Sequence, residues 1–330
     1  MTTLSLTFAA AAAALLATAG NAIGQSAGDA GSWPQRPVKW IVPFPAGSQV
    51  DVVARVIETR LSQRLGQPLI IDNRSGASGS IGVDAVAKSA PDGGTIGLVT
   101  VTTHAVAPNL GRKLPYDVLL DFAPVGMIGS TPYALVVYPG LDVKTVAEFV
   151  ALAKAKPGSI TYGSAGPASM AHLAAALFAY RAGLDIVHLP YRSTAHAVTD
   201  IVTGRIQMQF ATIAPTSQLL QTGQLRALAI SSAKRSVALP DLPTMAETGL
   251  TGFDAALWFA LVMPARTPPD IVTRLNRDLA YVLAMPDVVQ SLLQQGVETD
   301  PGTPEQLTAR IKQDLATWKE LIEQARIRAE

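Results

Sequence analysis

The sequence predicts an α/β protein of two lobes, each a mixed sheet flanked by helices, on three observations. At 330 residues the chain exceeds the size at which one hydrophobic core usually keeps growing. Short apolar runs alternate with amphipathic helical patterns, the signature of βα units and parallel strands. The alternation resumes as a second series after residue 130, so two sheets are expected instead of one. With 48% hydrophobic and 15% charged residues, a disordered chain is excluded.

Each element has its own signal. VKWIVPF (38–44) is an apolar run bounded by Pro37 and Pro45, as a buried strand should be. Val53, Ile57, Leu61 and Leu65 then recur at helical spacing, with Gly66 placed for a left-handed C-terminal residue. PLIIDN (68–73) completes a βαβ unit, which calls for parallel strands and a right-handed crossover. A helix near 80–89 and a strand near 95–101 follow. In the second series Thr145 and Glu148 form a capping box, and Pro157-Gly158 ends that helix. Strands are expected at 159–164, 186–191, 206–210 and 225–230, and helices at 169–181, 195–203 and 214–222. ALWFALVM (256–263) reads as a strand returning to the first lobe, and the remainder as helices. Thr267-Pro268 and Thr303-Pro304 mark two of their starts. The expected lobes are 34–132 plus 256–330, and 133–255.

Residues 8–19, FAAAAAALLATA, form an uncharged apolar run too short to span a bilayer. It is read as a secretory signal peptide covering residues 1–24, cleaved after Ala22-Ile23-Gly24 or after Ala17-Thr18-Ala19. Its first basic side chain is Arg36, so the usual Lys or Arg before the apolar run is missing. Cysteine is absent, which removes disulfides, thiol nucleophiles and cysteine-zinc sites. A periplasmic, monomeric protein without cofactor is expected. The net charge of +1 and scattered Lys and Arg leave no footprint for nucleic acid.

Ligands of open α/β sheets sit beyond the carboxyl ends of strands, where helix N-termini present unpaired N–H groups. Two strand-to-helix turns fit that geometry, Pro43-Phe44-Pro45-Ala46-Gly47-Ser48 and Gly163-Ser164-Ala165-Gly166-Pro167-Ala168-Ser169. Their small side chains let an anion approach main-chain amides closely. Gly and Pro also serve as plain turn punctuation. Ordered segments extend the pattern along the chain: IVPFPAGSQVDVVAR (41–55), VAKSAPDGGTIGLV (86–99), TTHAVAPNL (102–110), KLPYDVLLDFAPVGMI (113–128), ITYGSAGPAS (160–169), HLPYRS (188–193), SSAKRSVALPDLPTMAETGL (231–250) and WFALVMPARTPPDIV (258–272). With these the sequence resembles the substrate-binding receptors of tripartite tricarboxylate transporters, the TctC or Bug-type family.

The resemblance implies a periplasmic binding protein fold, a Venus flytrap closing over a ligand carboxylate held by main-chain amides and bridging waters. It implies ligand contacts from Phe44, Ala46, Gly47, Ser48 and Asp51 in the first turn, and from Ser164, Ala165, Gly166 and Ser169 in the second. Thr103, His104, Tyr191, Arg192, Ser193, Thr194 and Phe210 would line the cleft. Ser48, Ser193-Thr194 and Ala211 depart from commoner family residues. The missing acid at 211 removes a partner for an amino group and favours a plain organic or aromatic carboxylate. Asp51 could meet a ligand ammonium or simply favour the helix dipole, and Arg192 could fork a second carboxylate or lie solvated. His104 could donate to a carboxylate or be structural.

The implied function is an extracytoplasmic solute receptor delivering a small carboxylate to the membrane components of such a transporter. A signalling receptor docking a sensor kinase has the same fold and pocket. No HExxH, nucleophile elbow, dinucleotide fingerprint or phosphate loop is present. A periplasmic serine hydrolase using Ser164 with His172 or His104 is the remaining enzymatic alternative.

Overall fold

The computed structural model describes residues 33–111, 113–325 and 327; the expected signal peptide lies outside them. Strand β1 (Val38–Val42) leads into helix α1 (Gln49–Leu65) and strand β2 (Leu69–Asn73), with β1 and β2 parallel. Ser48 caps α1 by accepting the Asp51 N–H. Gly66 ends it in the left-handed region at φ 74°, its N–H reaching Ser62 O. Val53, Ile57 and Leu61 are fully buried, so the expected apolar stripe is the face α1 packs inward. Next come α2 (Ser80–Ala87) and β3 (Thr95–Thr100), then a π-helical turn at Thr102–Val106 and the long strand β4 (Phe122–Thr131).

The second series is β5 (Tyr133–Val137), α3 (Val146–Ala155), β6 (Ile160–Ser164), α4 (Met170–Ala182), β7 (Ile186–Pro190), α5 (Thr194–Val202), β8 (Met208–Thr212), α6 (Ile213–Gln221) and β9 (Arg226–Ile230). The capping box of Thr145 and Glu148 is present on α3. β8 begins two residues beyond the expected start, at Met208 instead of Ile206, because Ile206 is used as a buried plug against α5 and not as a paired strand residue. The chain then returns through β10 (Leu257–Pro264) to α7 (Pro269–Leu283), α8 (Pro286–Gln294), the short β11 (Glu298–Thr299) and α9 (Pro304–Gln324). Thr303 and Gln306 form the capping box of α9. Thr267 does not cap α7. Its hydroxyl donates to Pro264 O at 2.7 Å, and the helix starts after Pro268 without a side-chain cap.

Two mixed sheets result. One has the order β11-β4-β10-β3-β1-β2, the other β7-β6-β8-β5-β9. β10 is antiparallel to both β3 and β4, so β4 runs parallel to β1 and its carboxyl end, Thr131, lies at the same edge as Val42. After one intervening residue β5 starts the second sheet antiparallel to β8, with Tyr133 opposite Thr212. β8 is parallel to β6. The carboxyl ends of β1, β3, β6 and β8 therefore all point toward the crossing at Thr131–Tyr133, and the return crossing into β10 lies beside it, with Leu257 opposite Thr131. Ser231, fully buried, ties these crossings together. Its hydroxyl accepts from Tyr133 N at 3.0 Å and donates to Ala255 O at 3.2 Å.

Candidate ligand-binding site

Connectivity thus places both small-residue turns at strand ends directed toward the crossings. In the first, Gly47 has φ 79° and nothing within 4 Å of where a Cβ would stand. It faces open space. The turn is braced from behind by Asp51, whose side chain is 2% exposed. Its carboxylate accepts from Gly47 N at 2.8 Å, Arg55 Nε at 2.9 Å and Asn73 Nδ2 at 2.9 Å. Burial works to raise the Asp51 pKa, but the bonds from Arg55, Gly47 and Asn73 outweigh it and hold the carboxyl below its ordinary value. Asp51 is therefore corrected from a ligand contact to an internal strut of the turn.

Asn73 also donates to Phe44 O at 3.1 Å, fixing both limbs of the turn from the end of β2. Sequence reasoning missed it. An Asn closing a strand beside the turn was the available signal. It missed Gly79 and Gly82 too. A Cβ at Gly79 would stand 2.9 Å from Thr103 Cγ2 and 3.3 Å from Phe44 Cζ, and one at Gly82 would stand 2.7 Å from Pro43 Cα. The glycine-rich stretch at 76–82 thus lets α2 lie directly against the first turn. Among the described residues, the N–H groups of Phe44 and Ala46 have no protein acceptor.

The second turn is tied more densely. Ser164 Oγ accepts from Gly166 N at 3.1 Å, donates to Gly166 O at 3.1 Å and lies 2.7 Å from His188 Nε2. Ser164 is fully buried, so its hydroxyl shapes the turn and is not free for a ligand. Its histidine neighbour is His188, not the His172 or His104 considered for a hydrolase. Ser169 caps α4 by accepting from His172 N and donates to Gly166 O at 2.7 Å. Gly166, at φ 98°, opens to empty space like Gly47. Among the described residues Ala165 N–H has no protein acceptor either.

The flanking candidates divide. Arg192 is exposed and, among the described residues, makes no ion pair. Ser193 caps α5, with Thr194 as its first residue. Tyr191 turns its hydroxyl to Asp200 at 2.8 Å. Thr103 is fully buried, donates its hydroxyl to Thr100 O and sets its methyl against Gly79. His104 and Phe210 are corrected outright. His104 is fully buried with its ring 5.0 Å from that of Phe122, and burial lowers its pKa to about 3. Phe210 is fully buried between Phe178 and Phe253. Both are core residues, because their positions in the π-helical turn and on β8 point them inward. Among the described residues no cluster could hold a metal ion. A cavity of about 290 Å³ is lined by Lys234, Trp258 and Glu298 among others, and by no residue of either turn.

This arrangement of two glycine-opened turns, each at a helix N-terminus, can receive an anion through amides without a buried cation. Residues 53–327 match the model of the tripartite tricarboxylate transporter family receptor, TctC. The chain belongs to the TctC family. It is 39% identical to the protein BugT of Bordetella pertussis over 304 residues, covering 92% of each chain. Among solved TctC-like structures, an R. palustris protein with adipate is 36% identical at TM-score 0.70, covering 90% of this chain and 99% of that one. The MatC protein of Rhodopseudomonas palustris with bound malate is 29% identical at TM-score 0.67, covering 88% and 100%. A TctC solute-binding protein from Polaromonas with no ligand is 30% identical at TM-score 0.81, covering 88% and 99%. TctC proteins are transporter receptors, so this chain is a solute receptor and not an enzyme.

Proposed function

We propose that this TctC receptor works in the periplasm, where lobe 1 (34–132 plus 256–330) and lobe 2 (133–255) close over a small organic or aromatic carboxylate. The carboxylate is received by the free N–H groups of Phe44, Ala46 and Ala165, with Gly47 and Gly166 giving it room. What supports this reading is that both open turns sit at strand ends directed toward the crossings and carry amides without a protein acceptor among the described residues. Arg192, exposed beside the second turn, would meet a further anionic group. The closed form then presents the ligand to the membrane components of a tripartite transporter.

Ligand at 100 times its Kd stabilises by about 2.7 kcal/mol, so a thermal-shift screen of mono-, di- and tricarboxylates, aromatic acids, sugars and cations tests the proposal. At least one carboxylate should raise Tm. A shift with a neutral sugar or a cation and with no carboxylate would refute it.

A further inference from the structure

Behind the second turn stands a stack of three rings that the carboxylate reading does not use. His172 on α4 and His188 on β7 lie face to face, with centroids 4.2 Å apart and planes at 13°. Tyr162 on β6 stacks on His188 at 4.9 Å. Each histidine holds one end of the turn. His188 Nε2 is 2.7 Å from Ser164 Oγ at the start, and His172 Nδ1 accepts the Ala168 N–H at 3.0 Å near the end. Ala168 is a non-glycine residue at φ 56°, a left-handed conformation that surrounding bonds must maintain.

We propose that His172 and His188 are positioning residues: as an uncharged stacked pair they hold the 164–169 turn in the shape that aims Ala165 N–H and the open face of Gly166 into the cleft. The proton positions follow from the donors. Ala168 N–H can only donate, so His172 keeps its Nδ1 lone pair and carries its proton on Nε2. Protonating Nδ1 would break that bond and set a cation against the neighbouring ring. His188 is more tolerant. As the neutral Nε2–H tautomer it donates to Ser164 Oγ and leaves the hydroxyl proton on Gly166 O; as the Nδ1–H tautomer it takes that proton instead.

The surroundings do not favour charge on either ring. Burial first, and His188 next, lower the His172 pKa to about 4, and burial lowers that of His188. The elements packed on α4 are β6, β8 and α9. β6 brings Tyr162, β8 has no titratable side chain, and Glu320 of α9 is taken by Tyr180 at 2.7 Å. α5, on the far side of β6, carries His196 at Ser193 and Asp200 at Tyr191 and Arg205. Among the described residues none of these reaches either ring with a hydrogen bond or ion pair.

Because this inference rests in part on the carboxylate reading, its test has an arm that needs no ligand. In the wild-type chain, ring ¹⁵N spectra should show His172 protonated on Nε2 and uncharged from pH 8 to 5. A proton on His172 Nδ1 at pH 7 overturns the proposal. Asn supplies an acceptor in place of Nδ1 and Gln a polar group in place of Nε2, so H172N and H188Q should keep hydrogen exchange at 165–169 at the wild-type level, while H172L and H188L raise it about tenfold or more. With benzoate and adipate as probes at pH 7.5, any probe that binds the wild type should bind the Asn and Gln variants within about threefold and the Leu variants about tenfold more weakly. Leu variants matching the Asn and Gln variants in exchange would also overturn it. If neither probe binds any form, exchange and spectra still decide the brace, and it is the carboxylate reading that loses ground.

Discussion

At the scale of single residues, this site is built more by what hides behind the turns than by what faces the cleft. Asp51 and Asn73 illustrate it. An acid in the first turn of a helix is visible in the sequence, but that its carboxylate would be consumed by Gly47, Arg55 and Asn73 was not, since Asn73 lies 22 residues away in sequence. Asn73→Ala removes bonds to Phe44 O and Asp51, leaving part-buried acceptors unpaired. We expect a loss of about 1–3 kcal/mol, read as a lower urea midpoint, with weaker binding of whichever carboxylate the thermal screen selects. His172 adds a pH dependence. Its folded pKa is depressed to about 4 from an ordinary value near 6.5, so the unfolded chain binds the proton more readily. Its contribution to stability is full above about pH 6.5 and falls away as pH drops toward about 4. Melting curves at a series of pH values should show that decline in wild type and a shallower one in H172N.

At the scale of elements, local signals sufficed wherever a helix carried its own punctuation. Ser48, Thr145, Ser169 and Thr303 all cap as their side-chain chemistry demands. They failed where a neighbour competed, as at Thr267, whose hydroxyl bonds Pro264 O instead of capping α7. The glycines of 76–82 show the same limit. Their use is to seat α2 on the first turn, a contact between segments that no local pattern encodes. Gly82→Ala would put a Cβ 2.6 Å from Arg74 O and 2.7 Å from Pro43 Cα, so α2 must shift. We expect a cost of about 1–3 kcal/mol by chemical denaturation, with a loss of carboxylate affinity.

At the scale of the whole molecule, the proposed closure would turn on the two crossings that Ser231 ties together between the sheets. Small-angle scattering should show the radius of gyration falling when a stabilising carboxylate is added. An unchanged radius at saturation would argue against hinge closure. Ser231→Ala should leave each lobe folded while lowering Tm, because the buried Tyr133 N–H and Ala255 carbonyl each lose a partner.

The sequence by itself determined the βα alternation, the caps, the two turns and the family, because periodicity, capping chemistry and ordered motifs are all properties of neighbouring residues. Tertiary structure alone decided which residues of the turns face outward. His104, Phe210, Asp51 and the Ser164 hydroxyl read as cleft residues in the chain and fold inward, while Asn73, Gly79, Gly82, His172 and His188 come in from distant elements to support it. The physical reason is that a buried polar group must find partners wherever packing places them, and those partners are set by strand order and helix docking.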